Sequence, residues 1–112
     1  MNKYLLIYRN PPATSDRQPS QEEMTAMFAQ WTAWKEKFKK NIVDLGDGLK
    51  PDGRVLRAGT VTDGPHVEAK EVVGGFSIVQ AESYDQAVDV ARGCPINEMP
   101  GAYIEIREMM GF

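Results

Sequence analysis

From Lys3 to Arg9 the chain reads Lys-Tyr-Leu-Leu-Ile-Tyr-Arg and stops at Pro11 and Pro12. Such a run of β-branched, apolar and aromatic residues predicts a first strand. Alternation sends Leu5 and Ile7 to one face and Tyr4, Leu6 and Tyr8 to the other. Both faces are apolar, so this strand is expected at the centre of a sheet, covered on both sides. Residues 10–19, with Pro11, Pro12 and Pro19 around Ser15, Asp16 and Arg17, read as a loop. Ser20-Gln21-Glu22-Glu23 then fits a capping box, in which the serine hydroxyl accepts a free backbone N–H. Met24, Met27, Phe28, Trp31, Trp34 and Phe38 follow at three- and four-residue steps, the stripe of an amphipathic helix. Glu22 and Glu23 lie at its positive end and Lys35, Lys37, Lys39 and Lys40 near its negative end, which accounts for the lysine cluster without a polyanionic partner.

Leu45 to Gly53 reads as a turn-rich connection, and Arg54 to Thr62 as a second strand. Arg54, Arg57 and the weakening Gly59 suit the edge of a sheet. Asp63-Gly64-Pro65-His66 predicts a turn, with Val67 to Val73 continuing the connection. Gly74 to Ala81 predicts a third strand, with glycines that permit close backbone approach at its start. Ser83-Tyr84-Asp85-Gln86 opens a second capped helix with Tyr84, Ala87, Val88 and Ala91 inward, Gly93 as its C′ residue and Pro95 blocking continuation. Gly101 to Arg107 predicts a fourth strand, with Tyr103 and Glu105 opposite Ile104 and Ile106. The order β-α-β-β-α-β, with two helices too few to cover both faces of a four-stranded antiparallel sheet, predicts a ferredoxin-like α+β sandwich in strand order 4-1-3-2. The helix-free face then needs a cover that this chain lacks. A second copy is the economical answer, giving a homodimer through the sheets.

Composition narrows this picture. The 112 residues suffice for a single domain, 1–112, without internal repeats. Thirteen Lys+Arg against 16 Asp+Glu give a net charge of -3, which argues against a nucleic-acid footprint. One cysteine, Cys94, excludes a disulfide framework, and one histidine, His66, leaves any metal site short of ligands. No apolar run approaches the ~20 residues of a membrane span, and Tyr4 to Tyr8 is too short for a signal-peptide core. A cytoplasmic protein without cofactor or metal is the expectation.

The most distinctive text is Val61-Thr62-Asp63-Gly64-Pro65-His66-Val67-Glu68-Ala69-Lys70-Glu71, followed by Gly74-Gly75-Phe76. It resembles the DGPFAETKE signature and Gly-Gly-aromatic strand of the YCII-related family, DGPF subgroup. The likeness extends to the Tyr-Leu-Leu-Ile-Tyr strand, the tryptophan-bearing helix, Ala81-Glu82, Cys94-Pro95 and Ile104-Glu105-Ile106-Arg107. The resemblance implies a ferredoxin-like fold and a dimeric α/β-barrel-like assembly. YCII-type proteins include an enzyme that removes chloride from a chlorinated hydroxyquinol, and the wider family is associated with acid/base chemistry by a His–Asp pair. Its aspartate matches Asp63. Its histidine lies on the first helix, where this sequence has Trp31 and Trp34 instead, so the pair does not carry over as it stands. Here His66 also replaces the signature's Phe, and Val67-Glu68-Ala69 its Ala-Glu-Thr.

Two accounts of these residues stand side by side. Asp63 and His66, three apart around a Gly-Pro turn, could form an acid/base pair, because a nearby carboxylate raises an imidazole's pKa and fixes its tautomer. Alternatively Asp63 caps its own turn and His66 is a solvated loop residue. Glu68 and Lys70 could line a polar pocket, Lys70 pairing an anionic ligand, or form an ordinary charged loop. Arg57 could hold a carboxylate or phosphate, or guard a sheet edge. Trp34 could stack on a ligand, or fill the core. Cys94, after a helix C-terminus, is a poor nucleophile. Two functions follow. One is a small dimeric ligand-binding or accessory module, in keeping with the family's frequent encoding beside alternative sigma factors. The other is a lyase- or isomerase-type enzyme using Asp63, with or without His66.

Overall fold

The computed structural model describes residues 1–10, 20–64 and 72–111. Strand β1 (Asn2–Asn10) leads to helix α1 (Gln21–Lys37), strands β2 (Ile42–Gly48), β3 (Gly53–Arg57), β4 (Thr60–Gly64) and β5 (Val72–Ala81), helix α2 (Tyr84–Arg92), a 3-10 turn (Pro95–Glu98) and strand β6 (Tyr103–Glu108). Four strands form an antiparallel sheet in the order β2-β5-β1-β6, and β3 pairs with β4 alone. This is the α+β architecture expected from the sequence, with β1 and β5 central.

Both central strands divide their side chains as alternation requires. Tyr4, Leu6 and Tyr8 of β1 and Ser77, Val79 and Ala81 of β5 are buried on the helix-covered face, joined by Ala87, Val90 and Ala91 of α2. On the other face Leu5 lies opposite Ile78 and Ile7 opposite Phe76. These four are only half-buried, since no helix covers them. Charged residues flank them: Glu105 and Arg107 opposite Ile7 and Leu5 on one side, Asp44 and Asp47 opposite Ile78 and Phe76 on the other. Arg9 and Arg107 both pair with Glu105, at 3.1 and 3.4 Å.

The helix signals act locally as read. Ser20 Oγ accepts from the Glu23 N–H at 3.1 Å, and Ser83 Oγ accepts from the Gln86 N–H at 3.2 Å. Gln86 Oε1 reciprocates by accepting from the Glu82 N–H at 2.6 Å. The stripe on α1 is used over half its length. Trp34 is buried, with Trp31 and Phe38 packed on the core, but Met24 and Met27 are exposed and Phe28 is 77% exposed. A 17-residue helix is ~25 Å long. Tyr8, Val90 and Gly93 meet it at the Trp31–Phe38 end. In α2, Tyr84 is half exposed rather than inward. Its ring edge packs on Tyr4 at 4.9 Å and its hydroxyl accepts from the Glu108 N–H at 2.9 Å.

Three expectations need correction. The sheet's outer strand is β2, which overlaps the supposed connection at residues 45–48, and not residues 54–62. β2 holds its place with a bulge: Gly46 has φ +74°, and a Cβ there would stand 1.7 Å from the Phe76 carbonyl oxygen. Asp44 accepts from the Gly46 N–H at 2.8 Å, so the Asp/Gly text that reads as a turn makes a turn inside a strand. Residues 54–62 instead double back at Ala58 and Gly59. Both have positive φ, 50° and 84°, as the central pair of a type I′ hairpin turn requires. Lastly, Gly93 is a right-handed C-cap with φ -84°. Its lack of a side chain matters for space, because a Cβ would lie 2.9 Å from the Phe38 ring and 3.2 Å from that of Trp34.

Candidate functional site

Asp63 sits on β4, opposite Arg54 of β3. Its side chain is 96% exposed, and it faces the Arg54 guanidinium at 3.7 Å. That separation exceeds a good hydrogen bond, and a pair so open to water binds weakly. Leu56 and Val61 form the next facing pair but one along the ladder, on the same side as Arg54 and Asp63. Arg57 belongs to the opposite side with Val55, Thr60 and Thr62, where these residues border a shallow groove of about 360 Å³. Thus Asp63 and Arg57 share a hairpin but not a face. His66, Glu68 and Lys70 lie outside the described residues.

Trp34 is elsewhere, on the helix-covered side of the sheet. It is buried, packs its ring against Trp31 at 5.6 Å, and donates its indole N–H to the Val90 carbonyl at 2.8 Å. One edge borders an open groove of about 370 Å³ between α1 and the Arg92–Glu98 corner, with Lys37 and Arg92 at its rim. Arg92 pairs with Asp89 at 3.6 Å.

The sequence reading missed a buried polar chain. Cys94 Sγ donates to Tyr8 Oη at 3.6 Å, Tyr8 Oη donates to Ser77 Oγ at 2.5 Å, and Ser77 Oγ donates to the Leu45 carbonyl at 2.5 Å. All three side chains are buried. Burial, reinforced by Cys94, pushes the Tyr8 phenol far above its usual range, and burial likewise raises the Cys94 thiol. Neutral forms therefore persist, and the chain ties the bulge of β2 to the α2 corner rather than activating a nucleophile. The signal available in sequence was Ser77, a lone polar residue at an inward position between Gly75 and Val79.

Among the described residues, no group of three or more His, Cys, Asp or Glu is placed to hold a metal ion, and no helix is long and apolar enough to cross a membrane. The family model for the YCII-related domain matches residues 1–112. No curated protein matches the chain at a significant level. Among solved structures, the chain is similar to the 5-chloro-2-hydroxyhydroquinone dehydrochlorinase of Burkholderia phenoliruptrix AC1100 in complex with 2,5-dihydroxybenzoquinone. Identity is 26% over 91% of this chain and 90% of that one, with a TM-score of 0.43.

Proposed function

Because the chain belongs to the YCII-related family, we propose that it is a small dimeric ligand-binding or accessory protein of the cytoplasm, paired through the helix-free face of its sheet. The observation that carries this reading is the Leu5–Ile78 and Ile7–Phe76 patch, left uncovered between two charged margins. An apolar centre with a charged rim is the anatomy of a protein interface. Light scattering on a sizing column checks it: a mass near twice 12.5 kDa is expected at micromolar concentration, and Ile7→Asp should lower it to that of one chain. A wild-type protein that stays monomeric there sinks the reading. The proposal calls for no cofactor, metal, nucleic acid or membrane. A small anionic ligand would draw on Lys70 and Arg57 for its charge, while Trp34 borders a separate groove.

A second reading, a lyase- or isomerase-type enzyme, is favoured by one feature. The Asp63 carboxylate is open to solvent, and among the described residues it makes one long contact, to Arg54. Asp63 would exchange a proton with a bound small molecule, with His66 as its partner. Titrating the His66 ring by NMR separates the readings. A coupled pair gives an elevated pKa that falls in Asp63→Asn. A value near ~6.5 that ignores the substitution rules the pair out.

A further inference from the structure

The β3–β4 hairpin is poorly explained by one chain. Its strands pair with each other and with no other strand, and no other element packs substantially against them among the described residues. Leu56 and Val61, directly opposite one another, are 70% and 60% exposed. A two-stranded hairpin is marginally stable in water unless something covers its apolar side. The molecule is correspondingly spread out. Its radius of gyration is 15.4 Å, where a compact chain of this length gives ~13 Å, and its extents are 41 × 39 × 19 Å. The thin dimension leaves room for a sheet and one helix layer only, so the hairpin and the open sheet face are two uncovered apolar surfaces on one flat body.

We propose that the hairpin is an arm that seats on a second copy of this chain, with Leu56 and Val61 as its anchors. This rests on the dimer proposed above. A two-fold pairing would cover both surfaces at once, each chain giving an arm and receiving one. Charge favours the same partner: Arg54 and Asp63 share the anchors' side of the arm, while Asp44 and Asp47 border one edge of the open face and Arg107 the other. The arrangement has a consequence for the site. Asp63 shares its side of the hairpin with the anchors, so it is presented to the partner copy and not to its own core. Any pocket that uses Asp63 is then built from two chains.

The test compares dimer dissociation, by sedimentation, for the wild type, Leu56→Asp/Val61→Asp and Ile7→Asp. The arm variant is expected to weaken the dimer about tenfold or more while far-UV circular dichroism stays unchanged, since the hairpin lies outside the core. A wild-type dimer with an unaffected arm variant overturns the arm and leaves the sheet-face dimer standing. A weakened arm variant beside an unaffected Ile7→Asp supports the arm and overturns the sheet face. A second measurement does not depend on the folding of the double variant. Nitroxide-labelled Asp63→Cys is mixed with isotope-labelled wild type, and broadening is sought in the wild-type chain. Loss of Leu5, Ile7 or Ile78 signals places Asp63 on the partner; an undisturbed spectrum in a dimeric mixture overturns the proposal.

Discussion

Strands β1 and β5 and strands β3 and β4 are made from similar residues, yet they do opposite things. In the first pair the inward side chains lie beneath two helices, and the buried hydroxyls of Tyr8 and Ser77 are satisfied through the Cys94–Tyr8–Ser77–Leu45 chain. In the second pair the facing apolar residues Leu56 and Val61 stand in water, and Asp63, the motif's candidate proton-transfer residue, is almost wholly exposed. The difference lies in what the backbone connects to. β1 and β5 each have a strand on both sides, whereas β3 reverses directly into β4 and the pair joins no larger sheet. The lesson is that alternation specifies two faces of a strand, and layers decide whether either is filled.

The contrast predicts where damage will register. Trp34→Ala should be the most costly of these changes, removing ~3–5 kcal/mol from stability in a urea titration. It empties a buried site and removes the indole N–H from the Val90 carbonyl, which keeps the Gly93 N–H at 3.2 Å. A loss below ~1 kcal/mol would mean that the α1–α2 contact is not part of the cooperative core. Gly46→Ala should cost ~1–3 kcal/mol from its backbone conformation alone, before its collision with the Phe76 carbonyl, and should detach β2. Hydrogen exchange would show this as lost protection in residues 42–48 with β1 preserved. Ser77→Ala should cost ~1–3 kcal/mol by leaving the Tyr8 hydroxyl and the Leu45 carbonyl without their partner.

Alkali offers a subtler probe of the same core. The Cys94 and Tyr8 protons are held more tightly in the folded chain than in the unfolded one, because both groups are buried. Between the unfolded and folded pKa values the native state binds more protons, so stability falls as pH rises. It should be intact at neutral pH and decline above the ordinary thiol range, then more steeply above the phenol's ordinary ~10, by at most ~1.4 kcal/mol per pH unit for each group. Tyr8→Phe should flatten the upper part of that slope, and an unchanged slope would remove Tyr8 from the account. At the other extreme, Asp63→Asn should leave the unfolding midpoint where it was. A clear drop would show that the hairpin is integral to the core after all.

Much of the fold was legible because it is written locally. The Ser20 and Ser83 caps, the two-faced strands at 2–10 and 72–81, and the helix count all follow from spacing within a few residues. β2 was not, because Asp44, Gly46, Asp47 and Gly48 resemble a turn; only the Phe76 backbone beside Gly46 makes that text part of a strand. In sequence Gly59 reads as a weak point in one strand, whereas Ala58-Gly59 is the reversal between two. Of the candidate residues, Asp63 and Arg57 could be placed near each other in sequence, but their separation onto opposite faces depends on the ladder register.

The sequence alone determined the family, where each helix starts and that the central strands are apolar on both faces, since periodicity and capping act over distances of three or four residues. Only the tertiary structure decided which segment completes the sheet, which half of the α1 stripe is covered, and that Asp63 stands on a projecting hairpin. Those outcomes depend on contacts between residues far apart in the chain, such as Gly46 with Phe76 and Trp34 with Val90, and no local pattern encodes them.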